Sequence, residues 1–110
     1  MSILKIKQLS DKLVKAYEDA VRRAFWEEVA NIGLDSIDVK NVKRLTEALE
    51  KWIWGNIGDD DFESIIRDIL TEEGVVESST KAHEIMEKLR VKAKALTEKF
   101  YEYVERSKEL

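Results

Sequence analysis

Residues 81–107 contain a long run of helix-forming residues with one apolar face, and this run limits the folds open to the chain. Seven apolar side chains recur there at alternating steps of four and three residues: Ala82, Met86, Leu89, Ala93, Leu96, Phe100 and Tyr103. This spacing is typical of a helix that packs against another helix along its length. Ser79 or Thr80 is suited to cap its start. We therefore expect a helix of about 40 Å that needs a partner helix.

A second long helix is predicted over residues 3–31. Two adjoining apolar stripes follow its helical period, so its buried face should be broad. One stripe consists of Leu9, Leu13, Ala16, Ala20 and Ala24, and the other of Val14, Tyr17, Val21, Phe25, Val29 and Ile32. Gly33 follows and can adopt the left-handed conformation that ends many helices.

Two shorter helices are predicted between the long ones. The first spans residues 39–54, with Asp35, Ser36 or Asp38 suited to its N-cap. Its expected core side chains are Val42, Leu45, Leu49, Trp52 and Ile53. Trp54 lies about 200° around the helix from Trp52, so the two indoles cannot face the same way. We expect Trp54 to pack beneath the following loop, and the alternative is an exposed partner-binding anchor.

The other short helix is predicted over residues 60–73. Asp60 and Glu63 have the spacing of a capping box, and the neighbouring acids suit the positive end of the helix dipole. The expected core side chains are Phe62, Ile65, Ile66, Ile69 and Leu70. With Gly74 as its stop, the pattern predicts a single all-α domain over residues 1–110, folded as an antiparallel bundle of two long outer and two short inner helices.

Composition bounds the class of protein. There is no cysteine, so neither a disulfide framework nor a thiol nucleophile is expected. The N-terminus lacks the apolar core of a signal peptide, and no run approaches 18 apolar residues. We therefore expect a cytoplasmic protein without a membrane partner. The charged residues, 38% of the chain, and the absence of proline suit either a thermophilic source or simply long helices.

The residues that usually carry chemistry are sparse. Asp59–Asp61 lack the alternation of an EF-hand loop, and His83 is the single histidine. No Gly-flanked nucleophilic serine or Gly-rich phosphate loop is present. We therefore predict a protein that is not an enzyme, with no catalytic residue, metal or cofactor. The remaining catalytic alternative uses arginines and glutamates of the bundle, with candidates Arg22, Arg23, Arg44, Arg67, Arg90 and Arg106.

The unequal helix lengths predict an assembly. The short helices can cover only the half of the bundle formed by the end of the first helix and the start of the last, so the other half lacks partners. A bent first helix that packs back over its own chain is the competing explanation. We expect a homo-oligomer, such as a homodimer, or an accessory subunit of a larger protein complex. The predicted partner-binding residues are Ile6, Leu9, Leu13, Trp54, Leu96, Phe100, Tyr103 and Val104.

The alternative is a helical subunit of a nucleoprotein complex, for example an RNA-guided defence complex. Residues 32–80 carry five basic and twelve acidic side chains, whereas residues 81–110 carry eight and six. The third helix begins with acids that nucleic acid would repel, so it is a poor recognition helix. Nucleic acid, the secondary partner class, would instead meet the basic face of the last helix: Lys81, Lys88, Arg90, Lys92, Lys94 and Lys99.

Overall fold

The computed structural model describes residues 3–32 and 36–108, and the side chains of residues 10–32, 36–103, 105 and 106. Its helices are α1 (Ile3–Asn31), α2 (Val39–Ile53), α3 (Asp59–Glu72) and α4 (Ser78–Lys108). No strand occurs in these ranges. The prediction of an all-α bundle with two long outer and two short inner helices is confirmed.

The two long helices form the backbone of the bundle. α1 packs along α4, α4 also packs against α3, and α3 packs against α2, whereas the contact between α1 and α2 is the smallest of these four. α1 and α4 run antiparallel, since Glu28 pairs with Lys88 while Tyr17 lies beside Thr97. The Cα atoms extend over 54 × 24 × 23 Å. The molecule is therefore much longer than it is wide.

Side chains from all four helices meet in one core. The Phe62 ring of α3 lies 5.5 Å from the ring of Phe25 on α1 and 5.6 Å from that of Trp52 on α2. Fully burying an aliphatic or aromatic side chain of this size contributes roughly 1.5–3 kcal/mol. The buried apolar side chains are Val21, Ala24, Phe25, Val29, Leu45, Ala48, Leu49, Phe62, Ile66, Ile69, Leu70, Ala82, Ile85, Met86 and Leu89.

α2 is rotated slightly from the predicted orientation. Val42, a predicted core residue, is 38% exposed, whereas Asn41 is buried at 4% exposure, so the prediction for Val42 is wrong. The Asn41 amide donates to Glu73 at 2.8 Å and accepts from Arg44 at 2.9 Å. Because those partners satisfy its polar atoms, the Asn41 side chain can be buried. The apolar periodicity of α2 did not predict this position as part of the core.

Trp54 lies at the C-cap of α2 and is 62% exposed, so the expectation that it packs beneath the loop is wrong. The chain leaves the helix through Gly55, whose φ of +76° is left-handed. Trp52 takes the inner position instead. Its Nε1 donates to Oδ1 of Asp59 at 2.7 Å, and this bond ties the end of α2 to the start of α3.

The two remaining caps also differ from the predictions. α3 begins at Asp59, with Gly58 at the N-cap and no side-chain capping bond, so Asp60 lies inside the first turn and the capping box is wrong. The Glu63 carboxylate faces α4 instead, with Oε1 3.1 Å from Nδ1 of His83. α4 begins at Ser78, which places the predicted capping residues 79 and 80 within its first turn. The predicted stop at Gly33 lies outside the described residues.

Candidate functional site

The buried core ends well before the two long helices do. On α1 the first buried side chain of the described part is Val21, and on α4 the last is Leu89. We call residues 3–20 of α1 together with residues 90–108 of α4 the arm, and residues 21–32 and 36–89 the body. Each half of the arm is about five helical turns long. α1 is one continuous helix, so the structure does not support a first helix that folds back over the chain.

The two helices of the arm contact each other through one layer of polar and aromatic side chains. Thr97 Oγ1 donates to the Ala93 carbonyl of its own helix at 2.8 Å and lies 3.3 Å from the Tyr17 hydroxyl. Phe100 packs near Tyr17, with its ring edge-to-face against Tyr101 at 6.0 Å. The Tyr17 and Phe100 side chains line grooves on both sides of this layer. Because a two-helix pair can cover only the seam between its helices, both sides keep apolar surface.

One of the two grooves, which we call the back groove, contains most of the predicted partner-binding residues whose side chains are described. Leu13, Leu96 and Phe100 are half-buried, and Tyr103 is 51% exposed. The complete lining is Leu13, Ala16, Tyr17, Leu96, Lys99, Phe100 and Tyr103. The structure therefore brings four predicted partner-binding residues together on one surface of the arm.

The other groove, which we call the front groove, was not predicted from the sequence. Val14 and Tyr101, which are 42% and 64% exposed, lie here. The complete lining is Val14, Tyr17, Thr97, Phe100 and Tyr101. Val14 and Tyr17 belong to one of the two predicted stripes of α1, so part of the signal was present as a broad apolar face, but periodicity alone does not tell which part of such a face remains open.

The other predicted partner-binding residues divide into two groups. The side chains of Ile6, Leu9 and Val104 lie outside the described residues. Trp54 lies in the body, at the turn between α2 and α3, and not in either groove. It is nevertheless close to the base of the arm along the long axis, because neighbouring Glu50 contacts Arg22 and Asp59 contacts Arg90.

The basic residues of α4 do not form one free face. Lys88 pairs with Glu28 at 3.6 Å, Arg90 contacts Glu87 and Asp59, and Lys81 is half-buried. The remaining three predicted nucleic-acid-binding residues, Lys92, Lys94 and Lys99, are exposed, and none has an ion pair with a described side chain. On α4, the exposed basic side chains that have no ion pair with a described side chain therefore lie in the arm.

Charge is divided between the two parts of the molecule. The arm carries ten basic and six acidic side chains, whereas the body carries nine basic and fifteen acidic ones. The arm is therefore basic and the body acidic. Such a separation gives the surface a strong field gradient along the long axis, which favours partners or copies with the complementary arrangement.

His83 and four of the six candidate catalytic arginines form ion pairs with carboxylates. His83 is exposed and has Glu63 at 3.1 Å and Glu87 at 3.9 Å. Among the described side chains, no three His, Cys, Asp or Glu residues are placed to hold a metal ion. Arg22 and Arg44, two of the catalytic candidates, pair with glutamates on other helices.

No described helix combines the length and the apolar character needed to cross a membrane. Comparison of the chain with protein-family models, with curated proteins and with solved structures returns no match. The arm, with its two grooves, is therefore the candidate functional site on physical grounds alone.

Proposed function

We propose that this protein is non-catalytic and acts as an assembly subunit that binds through its arm, with a second copy of itself as the partner. One observation carries the proposal: the core stops at Val21 and Leu89, yet both helices continue as a pair with apolar grooves on each side. Exposed apolar surface that continues over about five turns of two helices usually marks an interface.

A second copy suits this surface better than a globular partner would. When another helix pair packs across one side of the arm, the apolar side chains of that side become buried and the four helices form a bundle. Two identical arms supply two such pairs, and a two-fold axis needs only one self-complementary surface. The same arm would serve an accessory subunit if a helical hairpin of another protein took the place of the second copy.

The mass of the purified protein in solution tests the proposal. We expect a species of twice the 12.8 kDa chain mass by light scattering at micromolar concentration. Glu in place of Leu96 and Phe100 should give a monomer, because new charges in the seam would have to be desolvated. Tyr101→Glu provides a second variant. The native Tyr101 side chain is 64% exposed, so its replacement should weaken the dimer without disturbing the core.

The matched control changes the same helix on its outer face. Val91 is 69% exposed and Ala95 is also exposed, and both line a shallow groove on the outer face of α4 but neither the front nor the back groove. The V91E/A95E variant adds the same two charges to α4 and should remain a dimer. A wild-type monomer would contradict self-assembly, and a dimer lost only in the control would place the interface on the opposite face.

The exposed lysines of the arm favour nucleic-acid binding as a second candidate function. Lys92, Lys94 and Lys99 have no ion pair with a described side chain, and the arm is basic overall. Three phosphate contacts would give a log–log salt slope of about −2 to −3. Labelled RNA and DNA oligonucleotides at low salt would test this, with K92E/K94E/K99E as the variant and K43E/K51E on α2 as the control. Binding that is absent, or equal in both variants, would reject the candidate.

A further inference from the structure

The front groove lies on the same side of the long helices as α2 and α3. Val14 is seven residues before buried Val21, and seven-residue spacing keeps two side chains on one helix face. Thr97 is likewise seven residues after Arg90, whose guanidinium contacts Asp59 of α3 at 3.4 Å. The groove therefore continues the surface that the α2–α3 pair covers in the body, and it begins where that pair ends.

The end of the α2–α3 pair forms an exposed acidic step at the base of the arm. We call residues 54–61 the shoulder. Trp54 is 62% exposed, and Asp60 and Asp61 are exposed as well. The shoulder is level with the base of the arm, because Glu50 and Asp59 on either side of the turn contact Arg22 and Arg90. A helix pair lying in the front groove would meet this step end-on.

We propose that in the dimer the two arms lie antiparallel with their front grooves face to face, so that the free end of each arm meets the shoulder of the partner copy. This arrangement rests on the self-assembly proposed above. Each arm then takes, against its partner's arm, the place that α2 and α3 take against α1 and α4 in the body. The result is one continuous four-helix stack with a body at each end.

The dimensions of the arm suit this overlap. Eighteen residues of α1 and nineteen of α4 lie beyond the core, which corresponds to about 27 Å of helix. A face of that length and two helices wide, roughly 20 Å, has a flat area on the order of 500 Å². Two such faces give about 1,000 Å² before side-chain relief is counted, which approaches the lower range of specific interfaces.

Charge decides between antiparallel and parallel arms. The antiparallel arrangement places the basic arm of one copy against the acidic shoulder of the other and keeps the two acidic bodies at opposite ends. Parallel arms would bring the two bodies together, each with nine basic and fifteen acidic residues. Like charges side by side oppose association, and complementary patches favour it. The antiparallel dimer should therefore weaken as salt screens this attraction.

Site-specific cross-linking tests the arrangement directly, since the chain has no cysteine of its own. Arg106→Cys labels the outer part of the arm and Asn56→Cys labels the shoulder, and both native side chains are exposed. A mixture of the two variants should give a covalent dimer with a bismaleimide of about 10 Å reach, whereas Arg106→Cys alone should not, because the arm ends are then roughly 27 Å or more apart.

The outcomes separate the two proposals. A cross-linked 106–56 pair supports both self-assembly and the antiparallel arrangement. A dimer by light scattering that cross-links 106 to 106 would overturn the arrangement and leave self-assembly standing, and a monomer would overturn both. As a second measurement, D60K/D61K should weaken the dimer about tenfold, while E47K/E84K, which reverses two exposed acids elsewhere, should change it by less than about twofold. Equal effects in both variants would also overturn the shoulder contact.

Discussion

Arg22 of α1 holds the carboxylate of Glu50 on α2 through two hydrogen bonds, with Nε 2.8 Å from Oε2 and Nη2 2.6 Å from Oε1. The same guanidinium contacts Asp19 at 2.7 Å and Glu18 at 3.2 Å. This planar two-point geometry is specific to arginine and carboxylate. It joins two helices whose other mutual contacts are few, so it helps to position α2 across the base of the arm.

Removal of this pair should destabilise the body modestly. Because both side chains keep about a third of their surface exposed, we expect Arg22→Gln to cost about 1 kcal/mol, or a melting temperature lower by about 4 °C. Arg23→Gln is the control, since Arg23 is exposed and has no ion pair with a described side chain. A double-mutant cycle with Glu50→Gln measured by urea unfolding would isolate the coupling. A coupling near zero would show that the pair contributes nothing.

The same pair predicts a pH dependence. The hydrogen bonds from Arg22 lower the pKa of Glu50, against an opposing effect of partial burial, and they raise the pKa of Arg22, which stays charged. A carboxyl whose pKa is depressed in the fold stabilises it above the unfolded pKa and loses this effect as the pH falls. The free energy of unfolding should therefore fall between about pH 5 and pH 3. Glu50→Gln should reduce that fall, and an identical pH profile in the variant would contradict the assignment.

Arg44 should make a smaller contribution of the same sign. Its hydrogen bond lowers the pKa of Glu72, but that pair is exposed and water screens it. We expect Glu72→Gln to leave the pH profile closer to the wild-type profile than Glu50→Gln does. The two profiles, recorded under the same salt conditions, provide the comparison, and a larger effect at Glu72 would contradict it.

Asn41 is expected to be more sensitive than its apolar neighbour. Its buried amide has Glu73 and Arg44 as partners, so Asn41→Ala would remove one hydrogen bond from each of them and should cost about 1–2 kcal/mol. Val42→Ala, at a side chain that is 38% exposed, should cost less than about 0.5 kcal/mol. Thermal unfolding of the two variants measures the difference. The reverse order would indicate that Val42 belongs to the core.

Trp54 should matter for assembly and not for folding. Trp54→Ala removes a largely exposed indole and should change the unfolding free energy by less than about 0.5 kcal/mol, while weakening the proposed dimer through the shoulder. Trp52→Phe should instead destabilise the body by about 1 kcal/mol, because the bond to Asp59 is lost. Unfolding and light scattering of both variants check this. A dimer unchanged by Trp54→Ala would count against contact at the shoulder.

The helix ends show where local information becomes insufficient. The bounds of α1 and the termination of α2 and α3 near Gly55 and Gly74 followed from apolar period and glycine position, because both are properties of neighbouring residues. The start of α3 did not, since Asp59 is held by Trp52 of α2 and by Arg90 of α4. Those contacts are made between residues distant in sequence, so a capping pattern could not reveal them.

By itself, the sequence determined the four helices, their order and the faces that form the core, because helices arise from hydrogen bonds and side-chain spacing within a few residues. It also indicated that half of the long helices lacks partners. Only the tertiary structure decided that Asn41 is buried, that Trp54 is exposed, and that Val14 and Tyr101 share a groove leading to the acidic shoulder. Those features depend on which helices become neighbours, and that is settled by packing over the whole chain.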